Sequence, residues 1–459
     1  MSLSRTVTVR WTTRVVAVLA ASAAFVLPTV ATAQTSTPDA GASAAALAQA
    51  AQLHHEVTSG TLLSDHGTRP VCAHCQSVLV TEAKGANKPL TTAAPSGYGP
   101  ADLASAYKIT SASSSTATIA IIDAGVDGSL AADLATYRKT FGLPACTTAS
   151  GCLKLENYTG GNQPAPQKSG QGAQAEEEIA VETALDVDMA SAACPTCHIL
   201  EISVPWQDGV TDGNTSMNDF SKAVSTAVSA GAKTVSISYG YTATAQSTSG
   251  TDLADFNHPG VAIEVSTGDS GFNGGTHTSW PSDLPYAIGV GGTQLTKSGS
   301  SWSEKAWGVD SGNGAAGSGC ETFFKAANGQ PAAVTKACNN HLATASVSAD
   351  ASPATPLAIY DTYAPFSHQP PNWAVVGGTS ASSPYIAGLF ARAGVPSSLL
   401  GPNTLYSSAA SNFRDITSGN NEVQDQCRNY AGLSASVCNA GKGWDGPTGL
   451  GSPQGLGAF

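Results

Sequence analysis

Gly377-Gly378-Thr379-Ser380 sets a serine directly after a glycine turn, at the head of Ala381–Ala391, a stretch of helix-forming composition. The first N–H groups of a helix have no partner within it, and the helix dipole favours negative charge beside them. A hydroxyl placed there is suited to attack a carbonyl whose oxygen becomes an anion. A Gly-Thr-Ser run alone is equally well explained as an N-cap, so the serine gains meaning only with a base beside it. Glu182 and Asp186 stand four residues apart in a predicted helix, Glu176–Ala193, so both carboxylates leave one face about one turn apart and like charge raises the pKa of at least one. The plain alternative is a solvated acidic face shared with Glu176, Glu177, Glu178 and Asp188. Asp269 sits in Gly268-Asp269-Ser270-Gly271, where capping its own turn would explain it.

These residues need a scaffold that brings distant positions together. From Tyr98 onward, apolar runs alternate with amphipathic stretches, the pattern of a parallel α/β sheet. Thr118–Ile122 predicts a central strand whose end, Asp123-Ala124-Gly125, opens onto a site. Further strands are predicted over His198–Val204, Thr234–Ser238, Val261–Ser266 and Ala287–Val290, a second helix over Asn218–Ala230, and an apolar run over Trp373–Val376. The candidate carboxyls and the serine fall in or beside these elements.

Taken jointly and in this order, Glu182-Thr183-Ala184-Leu185-Asp186, Gly268-Asp269 and Gly378-Thr379-Ser380-Ala381 resemble the motifs of the sedolisin family of serine-carboxyl peptidases, a likeness running from about Tyr98 to the C-terminus. The resemblance implies a subtilisin-like fold, a mostly parallel central sheet flanked by helices. It also implies Ser380 as nucleophile, Glu182 as general base in place of histidine, Asp186 as its partner and Asp269 as oxyanion stabiliser. His66-Gly67-Thr68 is similar to the histidine motif of subtilases but precedes the Asp123 strand, the wrong chain order. In some relatives an acidic residue after the first strand and a Ser-x-Ser-Trp-Gly turn extend the carboxylate network. Asp123 suits the first place, whereas Tyr239 stands in Ser236-Ile237-Ser238-Tyr239-Gly240.

The family also carries one structural Ca2+ near its C-terminus. Asp415-Ile416 and Gly441-Lys442-Gly443-Trp444-Asp445 are similar to its two parts, so the resemblance implies the carboxylates of Asp415 and Asp445 and the carbonyls of Ile416, Gly441 and Gly443 as ligands. An all-oxygen shell is what a hard cation requires.

Oxyanion stabilisation by a carboxyl demands the protonated form, since a carboxylate has no hydrogen to donate. A carboxylate base suits acid conditions as well, its reference pKa lying near ~4.3 against ~6.5 for histidine. Activity is therefore expected in acid, acting on protein or peptide substrates. Internal cleavage is the expected mode, with removal of N-terminal tripeptides as the alternative. The rivals are a subtilase using Asp123 with another histidine, and an inactive pseudo-peptidase serving as a binding module.

Composition bounds the rest. Charged residues make up 12% of the 459 and the net charge is −12, which leaves no footprint for nucleic acid or anionic membrane. Residues 1–33 carry Arg5, Arg10 and Arg14, an apolar stretch from Val15 to Val30, and Ala31-Thr32-Ala33, the layout of a signal peptide, so a secreted, extracellular monomer is expected. Residues 34–95, rich in Ala, Thr and Ser with a short helical pattern near Ala44–His55, read as a pro-segment or linker. The catalytic domain is expected over 96–459, with maturation near Pro95 to Tyr98. The ten cysteines fall into near neighbours: Cys72/Cys75, Cys146/Cys152, Cys194/Cys197, Cys320/Cys338 and Cys427/Cys438. Export favours local disulfides, but the two Cys-x-x-Cys pairs would also serve a zinc ion, and Cys194-Pro195-Thr196-Cys197-His198 spells a haem attachment motif.

Overall fold

The computed structural model describes residues 67–81, 90–272, 279–308, 314–363, 372–422 and 433–459. The chain divides into Met1–Ser43 and Ala44–Phe459, and everything below concerns the second unit. The expected signal peptide, the helical pattern near Ala44–His55 and His66 lie outside the described residues.

Thr118–Ala124 shows how the scaffold forms. Ile119, Ala120, Ile121 and Ile122 are all fully buried, so a strand with no polar alternation is covered on both faces. It is the middle of an eight-stranded sheet whose order runs Ser301–Ala306, Ile288–Ser298, Ala262–Ser266, Thr234–Ile237, Thr118–Ala124, His198–Val204, Leu153–Asn157, with Ala345–Asp350 also paired to Ile288–Ser298. Pairing is parallel throughout except at Ser301–Ala306, which returns antiparallel. The helices Gly170–Ala193 and Thr379–Ala393 pack against each other, and the second lies against several strands of the sheet. Asn214–Ser229 packs on His198–Val204 and Thr118–Ala124.

A second, antiparallel sheet carries Leu357–Tyr360, Trp373–Gly377 and Val78–Thr81, the last of which forms a hairpin with Gly67–Pro70. Thr91–Thr92 joins the same edge of Trp373–Gly377 further along. Sequence patterning had no strand at Gly67–Pro70, Val78–Thr81, Ser301–Ala306, Ala345–Asp350 or Leu357–Tyr360. In Ala345–Asp350 all six positions are buried, but Ser346, Ser348 and Asp350 interrupt Ala345, Val347 and Ala349, so burial on both faces leaves no continuous apolar run.

Cys72–Cys75, Cys146–Cys152, Cys194–Cys197 and Cys320–Cys338 are disulfides, the local pairing expected. Sulfur bonded to sulfur supplies no thiolate, which removes the zinc and haem alternatives for the two Cys-x-x-Cys motifs. The expected Cys427–Cys438 pair involves Cys427, outside the described residues. No helix among the described residues is long and apolar enough to cross a membrane.

Candidate active site

Gly170–Ala193 is not an amphipathic surface helix. Every residue from Ile179 to Ala193 is buried, because Ile, Ala, Val, Leu and Met surround the acidic positions on all sides. Glu182 and Asp186 have no exposed surface at all, so the solvated acidic face is excluded for this pair, although Glu178 does face water. Burial raises the pKa of both carboxyls well above the ordinary range. For Glu182 the hydroxyls of Ser380 and Ser77 oppose the rise, and Asp123 and Asp269 add to it. For Asp186, Asp123 and Glu182 add to it, while Ser238 opposes. Asp123, at the end of the central strand, is itself pushed up to about 7 by burial. Glu182 Oε1 and Asp186 Oδ2 have no hydrogen-bond partner, and the Thr183 hydroxyl alone opposes the rise at Asp123, which leaves room for protons shared among three carboxyls.

Ser380 is the second residue of Thr379–Ala393, and Gly378, at φ 110°, makes the turn that leads into it. Gly378 is required for a second reason: a Cβ there would lie 2.7 Å from Asp269 Oδ2 and collide with the carbonyl of Gln76. Pro384 inside the helix has no N–H to give the Ser380 carbonyl four residues back. Ser238 Oγ stands 3.5 Å from that carbonyl and 2.9 Å from Asp186 Oδ1, tying the nucleophile's helix to the acidic one. The Ser380 hydroxyl donates to the Ser238 carbonyl at 3.4 Å and lies close enough to Glu182 to lower its pKa.

Asp269 reaches the same place from the turn after Ala262–Ser266. Its Oδ1 accepts the Thr379 N–H at 2.8 Å and the Thr379 hydroxyl at 2.9 Å, whereas Oδ2 has no partner. With Oδ1 doubly occupied by donors, the proton of the neutral acid belongs on Oδ2. Burial pushes this carboxyl up to about 7 against the two Thr379 bonds, so it is protonated in acid.

Glu182 is thus in reach of Ser380, Asp186 and Asp269, and of these four Asp269 lines a cleft of about 440 Å³ together with Gly240, Thr267, Gly268, Ser279 and the segment Cys72–Val78, whose Gln76 carbonyl and Ser77 hydroxyl touch Ser380 and Glu182. Sequence inspection missed Thr379, Ser238, Gln76 and Ser77. Thr379 stood inside the Gly-Thr-Ser motif without a role of its own, Ser238 had a faint signal in Ser-Ile-Ser-Tyr-Gly, and Gln76 and Ser77 had none. Tyr239, where some relatives have tryptophan, accepts the Ala124 N–H at 3.2 Å and lies near enough to Asp123 and Glu182 for both to raise its pKa. Among the described residues no histidine stands among the hydrogen-bond partners of Ser380 or Glu182.

Two of the expected cation ligands, Asp415 and Asp445, bond to the Gly441–Gly443 turn. Asp415 Oδ1 accepts the Gly443 N–H and Asp445 Oδ2 the Gly441 N–H, each at 3.0 Å. Burial, with a contribution from Asp415, pushes Asp445 up to about 7. Asp445 Oδ1 also accepts the Thr448 N–H at 3.0 Å and the Thr448 hydroxyl at 2.8 Å; the carboxylate chemistry is that of a hard divalent cation's ligands. A separate acidic group, Asp127, Asp133 and Asp361, lies elsewhere, where Ser129, Thr362 and Tyr363 already donate to its oxygens.

A model of the subtilase family, Peptidase_S8, matches residues 114–405. Kumamolisin of Bacillus sp. (strain MN-32) is 30% identical over 391 residues, covering 80% of this chain and 63% of kumamolisin. Sedolisin of Pseudomonas sp. (strain 101) is 28% identical over 438 residues, 90% of this chain and 68% of that protein. Among solved structures, Pseudomonas sedolisin (serine-carboxyl proteinase) complexed with two molecules of pseudo-iodotyrostatin aligns with a TM-score of 0.57 and 26% identity, over 78% of this chain and 95% of that one. The mostly parallel sheet with flanking helices is accordingly a subtilisin-like architecture, and the chain spans 63% of kumamolisin's own length.

Proposed function

This chain belongs to the subtilase family and, within it, to the sedolisin group, and from that premise we propose that it is a secreted serine-carboxyl endopeptidase working in acid. One observation carries the proposal: Ser380, Glu182, Asp186 and Asp269, brought from distant parts of the sequence, form one buried cluster in which Ser380 N–H donates to a carbonyl oxygen and an unpartnered Asp269 Oδ2 lies across Gly378 from that oxygen.

In the proposed reaction, the charge of the Glu182–Asp186–Asp123 set rests on Glu182, to which the Ser380 and Ser77 hydroxyls donate, and Glu182 accepts the Ser380 proton as Oγ attacks the peptide carbonyl. Asp186 shares a proton with Glu182 and holds it in place, and Asp123 extends the same set. The carbonyl oxygen, gaining negative charge, takes hydrogen bonds from Ser380 N–H and from protonated Asp269, both fixed in position before the reaction. Glu182 then returns the proton to the leaving amine, and water releases the acyl group by the reverse route. Ionisation of Asp269 replaces a donor with a repelling charge, which closes the reaction at its alkaline end. Asp415 and Asp445, with the carbonyls of Ile416, Gly441 and Gly443, would hold one Ca2+, whose charge relieves their repulsion and fixes the C-terminal turns. The signal-like N-terminus and the disulfides support an extracellular setting.

Digestion of an unstructured protein across the range from about pH 3 to about pH 8 tests the proposal. Cleavage confined to acid and abolished in Ser380→Ala is the expected result; undiminished turnover in Ser380→Ala would remove the nucleophile. Product termini separate internal cuts from tripeptide removal.

A further inference from the structure

The hairpin of Gly67–Pro70 and Val78–Thr81 points its tip, residues 71–77, into the cleft. The tip is closed by the Cys72–Cys75 disulfide and by the Val71 N–H donating to the Ser77 carbonyl at 3.2 Å. It lies antiparallel to Ser238–Gly240: the Gln76 N–H donates to the Ser238 carbonyl at 3.1 Å, the Gly240 N–H donates to the His74 carbonyl at 3.0 Å, and Cys75 faces Tyr239 between them. An extended peptide laid along an exposed strand edge is how a cleft holds a substrate backbone.

The register is specific. The Gln76 carbonyl oxygen accepts the Ser380 N–H at 2.9 Å, the place where a reacting carbonyl belongs beside a serine nucleophile. Gly378 lies against this oxygen, against Ser77 Cα and against Asp269 Oδ2 at once, so the peptide bond after Gln76 sits among the reacting groups. On the leaving side, the Ser77 hydroxyl donates to Glu182 Oε2. On the acyl side, the Gln76 side chain enters a recess where its amide Nε2 donates to Ser279 Oγ at 2.6 Å. Gly240 walls that recess, and any Cβ there would collide with both Gln76 Nε2 and Ser279 Oγ. Gln76 and Ser77 are buried, at 6% and 1% exposure, as a bound peptide bond would be. The Pro95–Tyr98 stretch, where maturation was expected, is instead sewn into the second sheet: the Tyr98 N–H donates to Pro356 at 2.8 Å, and the Tyr98 carbonyl accepts from Ala358 at 3.0 Å.

We propose that the Gln76–Ser77 peptide bond is cleaved by the chain's own Ser380, and that the Gly240–Ser279 recess recognises glutamine on the acyl side of that bond. The inference rests on the peptidase function above. Ser380 Oγ bonds to the Gln76 carbonyl carbon while the Gln76–Ser77 C–N bond breaks, and the Ser380 proton passes through Glu182 to the Ser77 nitrogen. Water then adds to the acyl carbon, leaving a Gln76 carboxyl group and a free Ser380. The disulfide-closed tip is already in its bound shape, so it gives up little freedom on binding.

The test uses the full chain, incubated in acid and examined by intact-mass and N-terminal analysis, with digestion of an added unstructured protein followed in the same tube. Expected are a fragment beginning at Ser77 in the wild type and none in Ser380→Ala. Gln76→Leu is expected to slow that cut about tenfold, roughly what one hydrogen bond contributes, and processed enzyme is expected to prefer a glutamine peptide over its leucine counterpart by a similar factor. An intact 76–77 bond alongside digestion of the added protein overturns this inference alone, as does processing confined to residues 95–98. Equal rates for glutamine and leucine overturn the recess assignment, and failure to digest either target overturns the peptidase function itself.

Discussion

Asp269→Asn is the sharpest probe of the proposed chemistry. In the wild type, Oδ1 takes both Thr379 donors, leaving Oδ2 to carry the proton. An asparagine can keep this arrangement, its amide oxygen accepting from Thr379 and its Nδ2 donating from the Oδ2 position at every pH. Because the acid titrates at about 7, its protonated fraction falls about tenfold for each pH unit beyond that. At about pH 9 only about one wild-type molecule in a hundred would keep the donor. A single oxyanion donor is worth about 10²–10³ in turnover, so the neutral variant should overtake the wild type by about tenfold near pH 8 and by more above it. In acid, where the wild type holds its proton, the variant should match it or fall below. The measurement is kcat/KM on a fluorogenic peptide from about pH 3 to about pH 9. An alkaline limb that stays near 7 in Asp269→Asn would show that another group controls it and would defeat the assignment of the oxyanion donor.

Other outcomes follow from the same groups. Burial raises Asp123 and Asp269 from 3.8 to about 7, so the folded state binds protons more tightly than the unfolded chain. Stability should therefore be greatest below about pH 4 and be lost as pH rises to about 7, by up to about 4 kcal/mol for each carboxyl. A melting temperature that instead rises over that window in a Ser380→Ala protein, where self-digestion cannot interfere, would contradict the burial of these acids. Calcium chelation is expected to lower the melting temperature by several degrees, and Asp445→Ala to abolish that sensitivity; an unchanged melting curve in chelator argues against a cation at Asp415 and Asp445.

The fold was legible wherever burial was apolar. Thr118–Ile122 and His198–Val204 announced themselves because a strand covered on both faces must be apolar along its length. Ala345–Asp350 and Val78–Thr81 were not legible, the first because Ser346, Ser348 and Asp350 are buried alongside its apolar residues, the second because four residues are too few to show a period whether paired to Gly67–Pro70 or to Trp373–Gly377. In the site, Ser380 and Asp269 were marked by glycine turns and by family resemblance. Helical spacing put Glu182 and Asp186 on one face but could not say which way it turned; that followed from packing against Thr379–Ala393. Thr379 and Ser238 stood in quoted motifs, but their roles, like that of Gln76, come from contacts between distant segments that no spacing rule gives.

The edge of Trp373–Gly377 bears on how this protein should be trimmed for study. That strand runs straight into the nucleophile's turn, and one side of it is completed only by Val78–Thr81 and Thr91–Thr92. A recombinant product started at residue 96 would strip both and leave unpaired main-chain groups next to Gly378, inviting another molecule to fill the gap. A product started at Ser77 keeps the whole border, making it the safer choice for crystallisation or for any truncated reagent.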